Sequence, residues 1–192
     1  MSETNPEDGK SVRLDLFTNA EFSRGASRLK ELCWVAVSGL LVESWLPGSG
    51  WRRQLLRAFG ARIGKGVIIK PRVRVKFPWR LTVGDHSWIG EDVWIDNLAE
   101  VTVGSHCCLS QGAYLCTGSH NWTDPQFGLI TRSIKLGDGC WVCAKASLVP
   151  GTELESGAVV AMGSVASGRL AGWTVHAGVP SKLPRLRQLR DT

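Results

Sequence analysis

Branched aliphatic residues recur every six positions through the second two-thirds of the chain. They run Ile63, Ile69, Val75, then Val83, Ile89, Ile95, then Val103, Leu109, Leu115, and resume after a break as Leu136, Val142, Leu148, Leu154, Val160 and Ala166. Four positions after each, the residue is usually small or β-branched, as at Val67, Ser87, Cys107, Ala113, Cys140 and Ala158. Glycine often follows the aliphatic directly, at 64, 84, 90, 104 and 137. Such a period predicts a parallel β-helix, because each hexad makes one short strand plus a corner. Three hexads close a triangular coil of about 18 residues with the aliphatic side chain on the axis. The steps from 63 to 83 and from 83 to 103 are 20, so the first coils carry extra residues, whereas the step from 136 to 154 is 18.

The rest of the chain is organised around this repeat. Its 192 residues suit one domain with some decoration, and 43% hydrophobic with 21% charged residues is a globular composition, neither disordered nor fibrous. We divide it at residue 60: a tail and helical hairpin over 1–60, then the β-helix with a short C-terminal extension over 61–192. Residues 1–23 are expected to be a flexible tail. Residues 24–46 read as a helix, with Leu29, Leu32, Cys33, Ala36 and Leu40 on one apolar stripe that Trp34, Val37, Leu41 and Trp45 widen. Pro47-Gly48 ends it, and a second helix follows from Gly50 to Phe59, carrying Arg52, Arg53 and Arg57. The favoured expectation is that both helices pack on the end of the β-helix. The alternative is peripheral contact of residues 24–59 with a membrane surface, for which basic residues and tryptophans are suited.

Several classes are excluded or disfavoured. The longest uncharged apolar run, Leu32 to Val42, is too short to span a bilayer, which needs about 20 residues. A net charge of +6 accommodates an anionic ligand, but no zinc-finger, RNP or helix-turn-helix pattern points to nucleic acid. Met1 to Lys10 is polar and lacks a secretion pattern, so a cytoplasmic location without disulfides is expected. The six cysteines, including the lone pair Cys140 and Cys143, read as small packing residues.

The repeat breaks once, between Leu115 and Leu136, and a long loop in a tight solenoid is usually functional. It carries His120 beside Asn121 and Trp122. Transfer of an acyl group to an alcohol needs a base, and imidazole can take the proton and return it. The other histidines serve less well: His86 and His106 are expected to stack outside one corner, and His176 lies near the C-terminus. Cys116 has no motif that would make it a nucleophile, and Asp124 is the nearest carboxylate in sequence.

The six-residue period, the two N-terminal helical segments, the run Y-L-C-T-G-S-H-N-W and the ending A-G-V-P-S-K together resemble the hexapeptide-repeat acyltransferases. The resemblance covers about residues 60–185 and is greatest to the exopolysaccharide O-acetyltransferases of the colanic-acid type. It implies a left-handed coil, a homotrimer, and acetyl-CoA as acyl donor with no metal. It implies direct transfer to a sugar hydroxyl with His120 as general base. It further places the donor at Trp141, Ala144, Met162 and Ser167, with Lys182 and Arg185 for the phosphates, and in this reading Asp96, Asn97 and Trp122 face the acceptor. A lipid-linked oligosaccharide would bring the enzyme to the inner face of the membrane. Three other readings compete with it. A γ-type carbonic anhydrase would need a second histidine five residues from His120, and positions 115 and 125 are Leu and Pro. A non-catalytic scaffold would leave the loop histidine without purpose. The same chemistry could also serve an antibiotic hydroxyl or an amino sugar.

Overall fold

A computed structural model describes residues 13–179 and the backbone of Ser181–Leu186. The aliphatic period folds as expected, into three parallel sheets that form the sides of a prism. The first contains six strands, from Arg62–Ile63 to Arg169–Leu170. The second runs from Ile68–Ile69 to Thr174–Gly178 and gains an antiparallel edge, Ser181–Leu186. The third has five strands, from Arg74–Val75 to Val165–Ala166. Registers pair like with like: Ile63 lies on Val83, Ile69 on Ile89, Val75 on Ile95. Every aliphatic of the six-residue series is buried, none more than 7% exposed. Continuous burial of these side chains along the axis is the main driving force for the coil.

The corners have their own chemistry. Three residues after the aliphatic, the backbone turns left-handed, at Gly66, Arg72, His86, Asp92, His106 and Gly112, with φ between 56° and 67°. Polar residues and glycine bear that conformation at least cost. At another corner position the coils approach too closely for any side chain. A Cβ on Gly84 would lie 2.5 Å from the Ser105 nitrogen, and one on Gly137 2.7 Å from that of Ser156. Beside these glycines a column of side chains stitches coil to coil. The Lys65 N–H donates to Asp85 Oδ1 (2.7 Å), Asp85 N–H to Ser105 Oγ (3.2 Å), Ser105 N–H to Asp138 Oδ1 (2.7 Å) and Asp138 N–H to Ser156 Oγ (3.2 Å).

The helices pack on the first coil, the favoured of the two expectations. Helix α1, Arg28–Val37, is capped by Ser27, whose Oγ accepts from the Lys30 N–H, and runs into a π-helical turn, Ser38–Val42. Helix α2 spans Ser49–Ala58. Trp34, Val42 and Leu56 are buried and close the end of the coil, and the Trp34 indole N–H donates to the Val75 carbonyl (2.9 Å). The arginines of α2 are used internally. Buried Arg52 donates to the carbonyls of Val42, Gly48 and Ser44, Arg53 to that of Val67, and Arg57 to those of Ile63 and Gly64. They satisfy carbonyls that the end of a helix and the first strand would otherwise leave open.

One expectation is narrowed here and one corrected. Of the widened apolar stripe only part packs: Leu29 is 72% exposed, and Leu32, Cys33, Ala36 and Leu40 are exposed beside it. The face that packs contains Trp34 and Val37, because the indole both fills the coil end and finds a carbonyl there. The segment 13–23, expected to be loose, is a strap. It contains a short 3-10 turn, Leu14–Leu16, and Phe22 stacks on Phe77 with ring centroids 6.5 Å apart. Residues 1–12 lie outside the described part. Among the described residues no helix is long and apolar enough to cross a membrane.

Candidate active site

The break in the repeat is a β-hairpin. Gly118–His120 pairs antiparallel with Leu129–Thr131, with His120 opposite Leu129. The coil continues beneath it, so that Trp141 lies on Cys108 and Ser147 on Tyr114. The hairpin tip is tied by Asp124, whose carboxylate accepts the N–H groups of Gln126 (2.9 Å) and Gly128 (3.2 Å). That turn throws Phe127 into a left-handed conformation, φ 57°, and aims its carbonyl back at His120.

His120 Nδ1 is 2.7 Å from the Phe127 oxygen. A carbonyl only accepts, so Nδ1 carries the proton and the neutral ring holds its lone pair on Nε2. The Phe127 ring stacks on the imidazole at 4.3 Å between centroids, and Phe17 of the strap meets it edge-on at 5.6 Å. The group that orients the histidine is therefore a backbone carbonyl, while Asp124 shapes the loop that supplies it. His120 itself is half-buried and borders a cavity of about 300 Å³ with Ser119, Trp122, Arg132, Val149 and Pro150. Paired residues share a face of a hairpin. On the face of Leu129 and Thr131, a larger cavity of about 800 Å³ opens between the strap and the coil, bordered by Thr18, Glu21, Arg80, Leu98 and Glu100.

The remaining histidines sit elsewhere. His86 and His106 stack outside a corner, 5.3 Å between centroids, and His176 is buried with Nε2 3.1 Å from the Ala171 carbonyl. The cysteines are free thiols. Cys107 and Cys140 are buried, and their mutual hydrogen bond together with burial pushes the Cys107 thiol well above the usual range. Cys116 donates to the Gly118 carbonyl. No group of three or more metal-ligating side chains occurs among the described residues.

Of the residues expected at the donor, four lie on the last coils. Trp141 is exposed on the second sheet, its indole N–H donating to Ser110 Oγ (2.8 Å). Ala144 and Met162 occupy the same corner on successive coils, where the Gly163 N–H donates to the Ala144 carbonyl (3.0 Å) and Met162 is 73% exposed. Ser167 is exposed just beyond, after the strand Val165–Ala166. The side chains of Lys182 and Arg185 lie outside the described part.

On the acceptor side one expectation is corrected. Asn97 is fully buried, and its amide clasps the backbone of Phe77, accepting from its N–H (2.9 Å) and donating to its carbonyl (2.7 Å). Sealed inside the coil, it is out of reach of a ligand. Asp96, its neighbour, points away from the axis but is largely buried, its side chain 14% exposed. Lys76 Nζ lies 2.9 Å from Oδ1, and the Tyr114 hydroxyl donates to Oδ2 (3.3 Å). Trp94 packs between Tyr114 and the guanidinium of Arg74 on the same sheet face. Burial, then the nearby Cys116 and Asp96, push the Tyr114 phenol upward. Trp122 stands at the hairpin tip, 82% exposed. Phe17, Phe127, Lys76 and Tyr114 were not singled out from the sequence; only Tyr114, in the run before the break, stood near a motif.

The chain is 39% identical over 166 residues to WcaF of Escherichia coli K12, a protein assigned to colanic acid biosynthesis as an acetyltransferase, covering 85% of this chain and 91% of that protein. It is 25% identical over 183 residues to WbbJ of the same organism, assigned to lipopolysaccharide biosynthesis as an O-acetyl transferase, covering 88% and 83%. Among solved structures, a hexapeptide-repeat acetyltransferase of Vibrio cholerae complexed with acetyl coenzyme A superposes with a TM-score of 0.75 at 24% identity, over 87% of this chain and 92% of that one. A galactoside acetyltransferase in complex with coenzyme A gives 0.74 at 19% identity, over 83% and 82%. The shared fold is the left-handed β-helix. No protein-family model matches the chain.

Proposed function

Because the chain belongs to the hexapeptide-repeat acetyltransferases of the colanic-acid type, we propose that it transfers acetyl from acetyl-CoA directly to a sugar hydroxyl, with His120 as general base. That it acts on acyl groups follows from the family. The observation that carries the mechanism is the hydrogen bond from His120 Nδ1 to the Phe127 carbonyl, which leaves Nε2 as the basic nitrogen. In this reading Nε2 takes the proton of the attacking hydroxyl as its oxygen bonds to the acetyl carbon. The carbon–sulfur bond then breaks, and the imidazolium returns the proton to the departing thiolate. No acyl-enzyme is needed.

The donor residues fit a thin, polar arm. Small side chains at Ala144 and Ser167 let a pantetheine chain lie close to the coil edge, Trp141 and Met162 supply apolar walls, and Lys182 and Arg185 supply cations for phosphates. On the acceptor side Trp122 offers an exposed ring, whereas Asp96, largely buried and held by Lys76 and Tyr114, presents Oδ2 alone to a sugar hydroxyl. The assignments of WcaF and WbbJ to polysaccharide pathways support a sugar acceptor over an antibiotic. A homotrimer is supported by exposed Trp88 and Trp141 on one sheet, which a neighbouring subunit would cover. Light scattering should return three times the chain mass, and a monomer would refute it. The outward stripe of α1, with Trp45, suits contact with a membrane that presents a lipid-linked acceptor. Failure to float with anionic vesicles at low salt would refute that part alone.

The central test is His120→Ala. It should lower kcat by about 10²–10⁴-fold, read as thiol release in the presence of a sugar acceptor, with an unchanged circular dichroism spectrum. An unchanged rate would reject the base.

A further inference from the structure

The strap touches the imidazole that the previous reading uses. It is anchored beside the hairpin by the Arg13 N–H, which donates to the Pro125 carbonyl (2.8 Å). At its other end the Trp79 indole N–H donates to the Arg24 carbonyl (2.8 Å), and Phe22 stacks on Phe77. Between these anchors, Phe17 approaches His120 edge-on, with ring planes at 63°.

His120 has three restraints. Two come from the hairpin: the Nδ1 bond to the Phe127 carbonyl, and the Phe127 ring stacked at 11° on one face. Both move with the hairpin and leave its tilt over the coil undetermined. Phe17 belongs to a different segment, so it alone among the three couples the imidazole to the rest of the molecule. An aromatic edge and face prefer this arrangement. Ring rotation about the Cβ–Cγ bond would break both the stack and the Nδ1 bond.

We propose that Phe17 is a positioning residue, which fixes the tilt of His120 over the coil from outside the loop that carries it. The inference rests on the reading of His120 as the base. The strap thereby serves two purposes, since Thr18, Glu21 and Phe22 continue it as a wall of the larger cavity beside Leu129 and Thr131.

The test compares the full-length protein with Phe17→Ala, Phe17→Leu and Phe17→Tyr. Two readouts are taken: the linewidth of the His120 ring signals in two-bond ¹H–¹⁵N imidazole correlations, and kcat with the KM for acetyl-CoA. Phe17→Leu keeps an apolar plug and guards against loss of folding in the alanine variant. Both should broaden the His120 ring signals, as the hairpin gains freedom to tilt, and lower kcat by about 10–100-fold with KM unchanged, a cost in line with misplacement of a reacting group. Phe17→Tyr should retain the native linewidth and rate. A native linewidth or a native kcat in Phe17→Leu would overturn the proposal. Because the linewidth is read without turnover, it stands apart from the base: full activity in His120→Ala would sink the base reading whatever Phe17 does.

Discussion

Two regions of this molecule each display histidine, and their frameworks differ. At the corner of the first sheets, His86 and His106 occupy left-handed turns one coil apart, stacked on one another and exposed to solvent. In the hairpin, His120 gives its Nδ1 proton to a carbonyl and lies between two phenyl rings from separate segments. The corner is a by-product of the coil, where the φ of about 56° asks only for a tolerant polar residue. The hairpin is an addition to the coil whose turn is built to point one carbonyl. A histidine is made useful by what holds its second nitrogen.

The contrast can be broken at four points. The loss from His120→Ala is expected to be the largest, and the double change His86→Ala with His106→Ala should leave kcat within about twofold. Next comes Asn97→Ala, in the body of the coil. It strands the buried N–H and carbonyl of Phe77, at roughly 1–3 kcal/mol for each group, so thermal unfolding should shift downward clearly. Activity at a temperature where the variant remains folded should stay near native; a catalytic loss there would return Asn97 to the acceptor site. Asp124→Ala should behave in the opposite way. It frees two N–H groups of an exposed turn, about 1 kcal/mol, yet it loosens the Phe127 carbonyl. We expect kcat to fall several-fold with little change in the unfolding temperature, and equal loss of both would place Asp124 in the fold instead. The smallest effect is chemical. Exposed Cys33 should alkylate readily at pH 8 in the native protein, whereas Cys107, buried and held protonated by Cys140, should not until it unfolds.

The prism was legible because its period is local: each aliphatic announces its own strand, and all are inside. The position of His120 was legible for the complementary reason, as the residue of chemical interest where the period stops. Other features depend on where a period fails in three dimensions. Asn97 follows a buried aliphatic by two positions, where a hexad would put a corner facing solvent. In the 20-residue coils the third corner is wider, and the column Phe77, Asn97 and Thr117 turns inward to fill it. The stripe on α1 was visible, but a helix apolar on two sides does not say which side a coil end will take, and the carbonyl of Val75 decided it for Trp34. Nothing in the spacing between Phe17 and His120 could reveal that the strap returns to the hairpin.

The glycine column and the aspartate–serine stitching pass the hairpin without interruption. The Ser105 N–H finds Asp138 as readily as the Lys65 N–H finds Asp85, although the chain between the first pair has detoured through the whole loop. Residues 117–132 are thus spliced into a frame that does not register their length. A lineage could trade one such loop for another, altering which molecules are modified, while the scaffold underneath keeps the same step from coil to coil.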